Sequence, residues 1–214
     1  MRVGARGTMM AEERYYKHDG FERFTHWTHT IDTVILVLSG MQIHYPGFSV
    51  FGAMQNARFL HLVSAYIFVA IGVYHTYIFF ALGKHRIAMP GLFDFSEVGA
   101  ILKYYLHISR EKPVYEKYNV LQKYGYFLLF AVSILQTLLG FALYPYFLPG
   151  VFSFVFAVFG DAVQVRIWHT TIMWLFISFT ALHVYLVVTE DRRMVQAMID
   201  GYYYRKAAEG ESQG

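Results

Sequence analysis

The sequence predicts an all-α membrane protein: a bundle of four transmembrane helices with the N and C termini both cytoplasmic. Three observations carry this. Hydrophobic residues make up 56% of the 214 positions and charged ones only 15%, with mean hydropathy +0.35, far from an ordinary soluble domain. Four apolar stretches, 24–43, 57–82, 121–143 and 163–188, are each long enough to cross about 30 Å of hydrocarbon. Sixteen of the eighteen Lys and Arg residues fall before helix one, between helices two and three, or after helix four, leaving Arg58 and Arg166 for the opposite side. The positive-inside rule then sets the orientation. Residues 1–206 read as one domain, and 207–214, small and polar, as a mobile tail.

Each element follows from local pattern. Residues 1–23 are polar and precede the first apolar run, so they do not read as a cleaved signal peptide, and Met9 or Met10 are possible starts. Helix one closes near Gly40 to Gly47, where His44, Tyr45 and Pro46 mark the outer interface. Helix two stops at Gly83. In the connection that follows, Val98, Ile101, Leu102, Tyr105 and Leu106 alternate with Glu97 and Lys103 at a spacing suited to a helix lying in the interface over 95–108. Helix three ends ahead of Pro145 and Pro149; the apolar run 152–159 is too short to cross and reads as a cap over the bundle.

Chemistry concentrates in histidine. With no cysteine in the chain, iron–sulfur clusters, thiolate metal sites and covalent c-type haem are excluded within it. His169 and His183 stand fourteen residues apart on helix four, about 21 Å along the axis and close to four whole turns, so both point the same way at two membrane depths. Ionisable residues inside a bilayer are costly and default to function. A matching pair on one face of a bundle is how two stacked b-type haems are held. Depth pairs His61 with His169 on the outer side, while His183 takes either His26 or His75 on the inner side.

Arg23, Arg58 and Arg166 each precede a histidine, His26, His61 and His169, by three residues. One helical turn places each guanidinium nearer the water, where haem propionates emerge, although interface anchoring explains any single one as well. Helix packing explains Gly40, Gly72, Gly125 and Gly140 as well as close approach of a macrocycle does. Asp32 either relays protons or satisfies a neighbouring hydroxyl. His18, His85 and His107 read as surface residues. A transporter or structural anchor whose histidines bind a proton or a metal is the competing class.

The segments Arg23-Phe-Thr-His26-Trp27, Arg58-Phe-Leu-His61, Lys117-Tyr-Asn119-Val-Leu-Gln122-Lys123 and Trp168-His169 through His183-Val-Tyr185 resemble, in order and spacing, the cytochrome b gamma subunit of membrane-bound formate dehydrogenases. Met173-Trp174 to Tyr185, followed by Glu190-Asp191, is similar to the related b-type cytochrome of membrane-bound nickel–iron hydrogenases. The Lys-Tyr-Asn element tips the resemblance toward the formate branch.

The resemblance implies a multi-pass inner-membrane anchor with two b haems, one held by His61 and His169, the other by His26 and His183. His75 departs from the formate pattern and is the alternative inner ligand. Electrons would arrive from an iron–sulfur subunit on the outer face, with substrate oxidation on a separate catalytic subunit. They would reduce menaquinone or ubiquinone near the inner haem, in a pocket lined by Asn119 with Gln122 or Lys123. The hydrogenase cytochrome, or that of another respiratory oxidoreductase, is the alternative assignment. Membrane lipid is the expected surroundings, with no nucleic-acid partner.

Overall fold

The computed structural model describes residues 12–89, 91, 95–110, 120–144 and 150–206. Their order is β1 (Glu12–Tyr16), α1 (Gly20–His44), α2 (Met54–Ala81), α3 (His85–Ala88), α4 (Phe95–Tyr105), α5 (Val120–Ala142), α6 (Ser153–Phe159), α7 (Ala162–Glu190), α8 (Arg193–Asp200) and β2 (Tyr202–Lys206). The chain is mostly helical, and α1, α2, α5 and α7 fall within four residues of the predicted apolar boundaries. Pro145, Pro149, Asn119 and the tail 207–214 lie outside the described residues.

Among the described residues, α2, α5 and α7 are long and apolar enough to cross a membrane. α1 spans 25 residues, about 37 Å at the helical rise, but Glu22, Arg23, His26, His29 and Asp32 crowd its first half. Large apolar side chains such as Phe59, Val73, Tyr77 and Val163 point outward, as lipid-facing helices require.

Residues 32–176 form one compact unit. Its core is Leu139, Val155, Val165 and Ile172, ringed by Leu135, Leu138, Phe152, Phe156 and Phe176, so the short apolar run 152–159 forms a helix, α6, that packs with α5 and the start of α7. Phe152 stacks on Phe141 with centroids 5.9 Å apart. Asp161 starts α7: its Oδ1 accepts from the N–H groups of Val163 and Gln164 at 2.8 and 3.0 Å, and Gln164 Oε1 accepts from Asp161 N–H, a reciprocal cap. Gly160, at φ +96°, leaves that Gln164 amide its space. α4 buries Ile101 and covers 95–105 of the helix expected over 95–108.

The chain ends, to Ile31 and from Ile177, form a second unit. Asp19 caps α1, its Oδ1 accepting from Glu22 N–H at 2.7 Å. β1 pairs antiparallel with β2, from Glu12 opposite Lys206 to Tyr16 opposite Tyr202, an element that hydropathy did not reveal. Tyr15 packs on Tyr203 and Tyr16 on Tyr202, while Arg14 lies 3.5 Å over the Tyr202 ring. Gly201, at φ +91°, closes α8, and its carbonyl accepts from Lys17 and His18 N–H; a Cβ there would meet the His18 carbonyl at 2.9 Å. The start of α1 grips the end of α8, with Trp27 Nε1 donating to Met198 O at 2.8 Å and Arg23 Nη1 to Ile199 O at 2.6 Å.

Candidate functional site

Within residues 32–176, the imidazole of His61 on α2 faces that of His169 on α7, with ring centroids 6.2 Å apart and planes 76° to one another. Within the terminal unit, His26 on α1 faces His183 on α7 at 6.4 Å and 52°. Two imidazoles gripping one metal from opposite sides place their centroids roughly 6 Å apart, because metal–nitrogen bonds are about 2.0–2.1 Å and the centroid lies about 1.1 Å behind the nitrogen. Both pairs meet that spacing.

A bare ion would need more. Among the described residues no cluster of three or more His, Cys, Asp or Glu is placed to hold a metal, whereas tetrahedral zinc sites want at least three protein ligands. Two opposed nitrogens suit an iron whose other four ligands come from a porphyrin, so the donor sets fit haem. They also fit its non-covalent form.

The second contacts of each ring differ. Ser39 on α1 gives its proton to Ile35 O at 2.6 Å, so at 2.9 Å it accepts from His61 Nδ1, which also approaches Leu36 O at 3.2 Å. That fixes the His61 tautomer with a free Nε2 lone pair, the form that binds metal. Gly40 lies against the same ring: a Cβ there would sit 3.3 Å from Cε1. Opposite, Gly140 on α5 lies against His169, with Cε1 at 3.1 Å and Nε2 at 3.9 Å from a Cβ. Gln136, one turn earlier, donates from Nε2 to His169 O at 3.1 Å. His183 stacks on Phe179, its plane inclined only 7°.

Gly40 and Gly140 thus make room for the imidazoles themselves. Ser39 and Gln136 were not singled out from the sequence; the available signal was a lone polar side chain inside an otherwise apolar span. Asp32 is 4% exposed, and the Ser64 hydroxyl bonds its carboxyl, so the neighbouring-hydroxyl reading has its partner.

Other predicted positions are placed as follows. His75 is exposed on α2, and Arg58 and Arg166 are exposed one turn before His61 and His169. Arg23 is engaged at the Ile199 carbonyl. Gln122 is exposed and Lys123 half-buried on the first turn of α5; Asn119 lies outside the described residues. His85 departs from its surface reading: its ring lies 5.1 Å from Phe80 and its Nδ1 is buried.

Residues 17–201 match the family model described as prokaryotic cytochrome b561. The chain is similar to a probable Ni/Fe-hydrogenase B-type cytochrome subunit of Cupriavidus necator, 28% identical over 87% of this chain and 86% of that protein. It is also similar to the probable Ni/Fe-hydrogenase B-type cytochrome subunit of Azotobacter vinelandii, 27% identical over 87% of each chain. The probable Ni/Fe-hydrogenase 1 B-type cytochrome subunit of Escherichia coli is 23% identical over 90% of this chain and 92% of that one. These names belong to the hydrogenase branch, which the sequence reading had set second to the formate branch.

Proposed function

The chain belongs to the prokaryotic cytochrome b561 family, which includes the hydrogenase b-type cytochromes, and from that premise we propose that it is the di-haem membrane subunit of a nickel–iron hydrogenase, carrying electrons from its catalytic partner to quinone. One observation carries the haem count: two imidazole pairs at 6.2 and 6.4 Å. His61 on α2 with His169 on α7, and His26 on α1 with His183 on α7, are the ligands, and α5 completes a set of four spans, α1, α2, α5 and α7. Each haem b supplies one-electron storage when bound.

The protein's own work is positional. Ser39 keeps His61 in the metal-binding tautomer, Gly40 and Gly140 admit the rings, and α1, α2, α5 and α7 bury the His61/His169 pair. Arg58 and Arg166, exposed one turn before His61 and His169, would offset the charge of the haem propionates, whereas Arg23 would do so only by leaving the Ile199 carbonyl. By the family pattern Gln122 or Lys123, on the first turn of α5, would contact quinone on the cytoplasmic side of the inner membrane, together with Asn119, which lies outside the described residues. Electrons enter from an iron–sulfur subunit on the opposite side, so quinone reduction takes up cytoplasmic protons and separates charge.

The formate reading rests on the Lys117–Lys123 element; the names of the relatives weigh against giving it first place. Membranes containing the protein and its complex are reduced anaerobically with hydrogen or with formate while the b-type absorption is followed. Reduction by hydrogen alone, with two haems per chain, supports the proposal. Reduction by formate alone moves the partner to the other branch, and a purified chain without pigment supports the transporter or anchor class.

A further inference from the structure

We infer that α1 and α5 act as a pair of clamps that hold the His61 and His169 imidazole planes near perpendicular, and that Ser39, Gly40, Gln136 and Gly140 are the positioning residues that set the electronic signature of the haem between them. The inference rests on the reading that this pair ligates haem.

The geometry on each side is restrictive. The His61 ring is held by two acceptors on α1, Ser39 Oγ and Leu36 O, at 2.9 and 3.2 Å, which fix its rotation about the Cβ–Cγ bond. Its Cε1 edge rests against Gly40, with Met173 Sδ closing the same space at 3.6 Å from a Cβ there. Swinging this ring breaks both bonds or drives it into the α1 backbone. His169 is held at two points one turn apart on α5. Gln136 anchors its backbone carbonyl, while Cε1, Nδ1 and Nε2 all lie within 3.1 to 3.9 Å of the Gly140 Cβ position. Two different helices therefore hold the two rings, and the planes stand 76° apart.

That angle has a chemical consequence. Each axial imidazole donates π density into the iron d orbital perpendicular to its own plane. Parallel planes load one orbital and split the pair, giving a rhombic low-spin ferric spectrum; crossed planes load both alike and leave a strongly anisotropic one dominated by a single large g value. The His26 and His183 planes are inclined by 52° and His183 stacks on Phe179, so the two centres differ.

The test is electron paramagnetic resonance of the oxidised, full-length protein, with haem counted by pyridine haemochrome. A His183→Ala chain retaining one haem isolates the His61 centre. A strongly anisotropic low-spin signal is expected from it, shifted toward rhombic in Ser39→Ala and restored in Ser39→Thr, which keeps the acceptor oxygen. Full haem content with a rhombic signal, or a Ser39→Ala spectrum unchanged from the parent, overturns the inference while leaving ligation intact. Absence of haem from the wild-type chain overturns ligation and the inference together.

Discussion

The imidazoles of His26 and His183 face one another across 6.4 Å, planes inclined by 52°, and His183 is as exposed on α7 as His75 is on α2, so the facing geometry and not burial separates the two candidates. Sequence depth alone left His26 and His75 as equal partners for His183. If the facing pair is the ligand set, His26→Ala and His183→Ala each lower the haem content from two per chain to one, whereas His75→Ala keeps both. Pyridine haemochrome quantification against protein mass decides it, and loss of a haem in His75→Ala alone would reassign the ligand.

The glycines divide into two kinds. A side chain at Gly140 meets the His169 ring at 3.1 Å and one at Gly40 meets His61 at 3.3 Å, but at Gly72 and Gly125 nothing among the described residues lies within 4 Å. Displacing a metal-ligating histidine through its neighbours typically costs roughly 10–100-fold in affinity. Gly140→Val should therefore release the His61/His169 haem selectively, with Gly40→Val following it, while Gly72→Ala and Gly125→Ala retain both haems. Haem-retention assays during dilution give the ranking; equal loss at all four positions would mean that helix packing, not ring space, explains them.

Much of this was legible in the sequence because a bilayer imposes one dominant rule. The switch from apolar to polar residues marked α2, α5 and α7 within a few positions, and whole-turn spacing singled out His169 and His183. Hydropathy cannot say which neighbour a lone polar residue on a span will face. Ser39, Gln42 and Gln136 thus gained meaning only when α1, α2, α5 and α7 acquired partners. The β1–β2 sheet escaped because its two short tyrosine-rich strands lie at opposite ends of the chain and neither is periodic enough alone. The catalytic partner was not legible, since it is chosen by surfaces on another protein; the shared haem scaffold looks alike in both branches.

Gln42 shows how much one such residue does. Only 2% exposed, it accepts through Oε1 from the N–H groups of Val50 and Phe51 at 3.0 and 2.8 Å and donates from Nε2 to Gly52 O at 2.8 Å. One amide thus satisfies three backbone groups of the loop between α1 and α2. Gln42→Leu strands them at a cost of about 1–3 kcal/mol if they stay buried, so the loop should open instead. Hydrogen exchange of residues 46–53 is expected to rise by at least tenfold in this variant, with α5 and α7 unchanged; unchanged loop protection would mean that the clamp is redundant.

At the other end of the chain, the Tyr203 hydroxyl donates to Asp191 Oδ2, and Arg193 donates to Oδ1 from Nε at 3.0 Å and from its N–H at 3.2 Å. Burial pushes the Asp191 carboxyl up, but the bonds from Tyr203 and Arg193, with the Arg193 charge, outweigh it and hold the group below the ordinary carboxylate range. Burial and the Asp191 bond and charge together push Tyr203 up to about 12, against the opposing charge of Arg193. The signs follow. A depressed carboxyl contributes stability above its unfolded value of about 3.9 and loses it as pH falls through the folded one; a raised phenol contributes fully below about 10 and loses it as pH rises through the folded value. The latch between α8 and β2 is therefore closed across neutral pH and opens at both extremes. Its worth is less than about 1 kcal/mol, because the groups are partly solvated. Ultraviolet tyrosinate titration of the wild type minus Tyr203→Phe should give a step with a midpoint near 12, and Asp191→Asn should bring that step part of the way back toward the ordinary phenol value, the remainder being burial. A wild-type step at the ordinary value would show that the two side chains do not meet in solution.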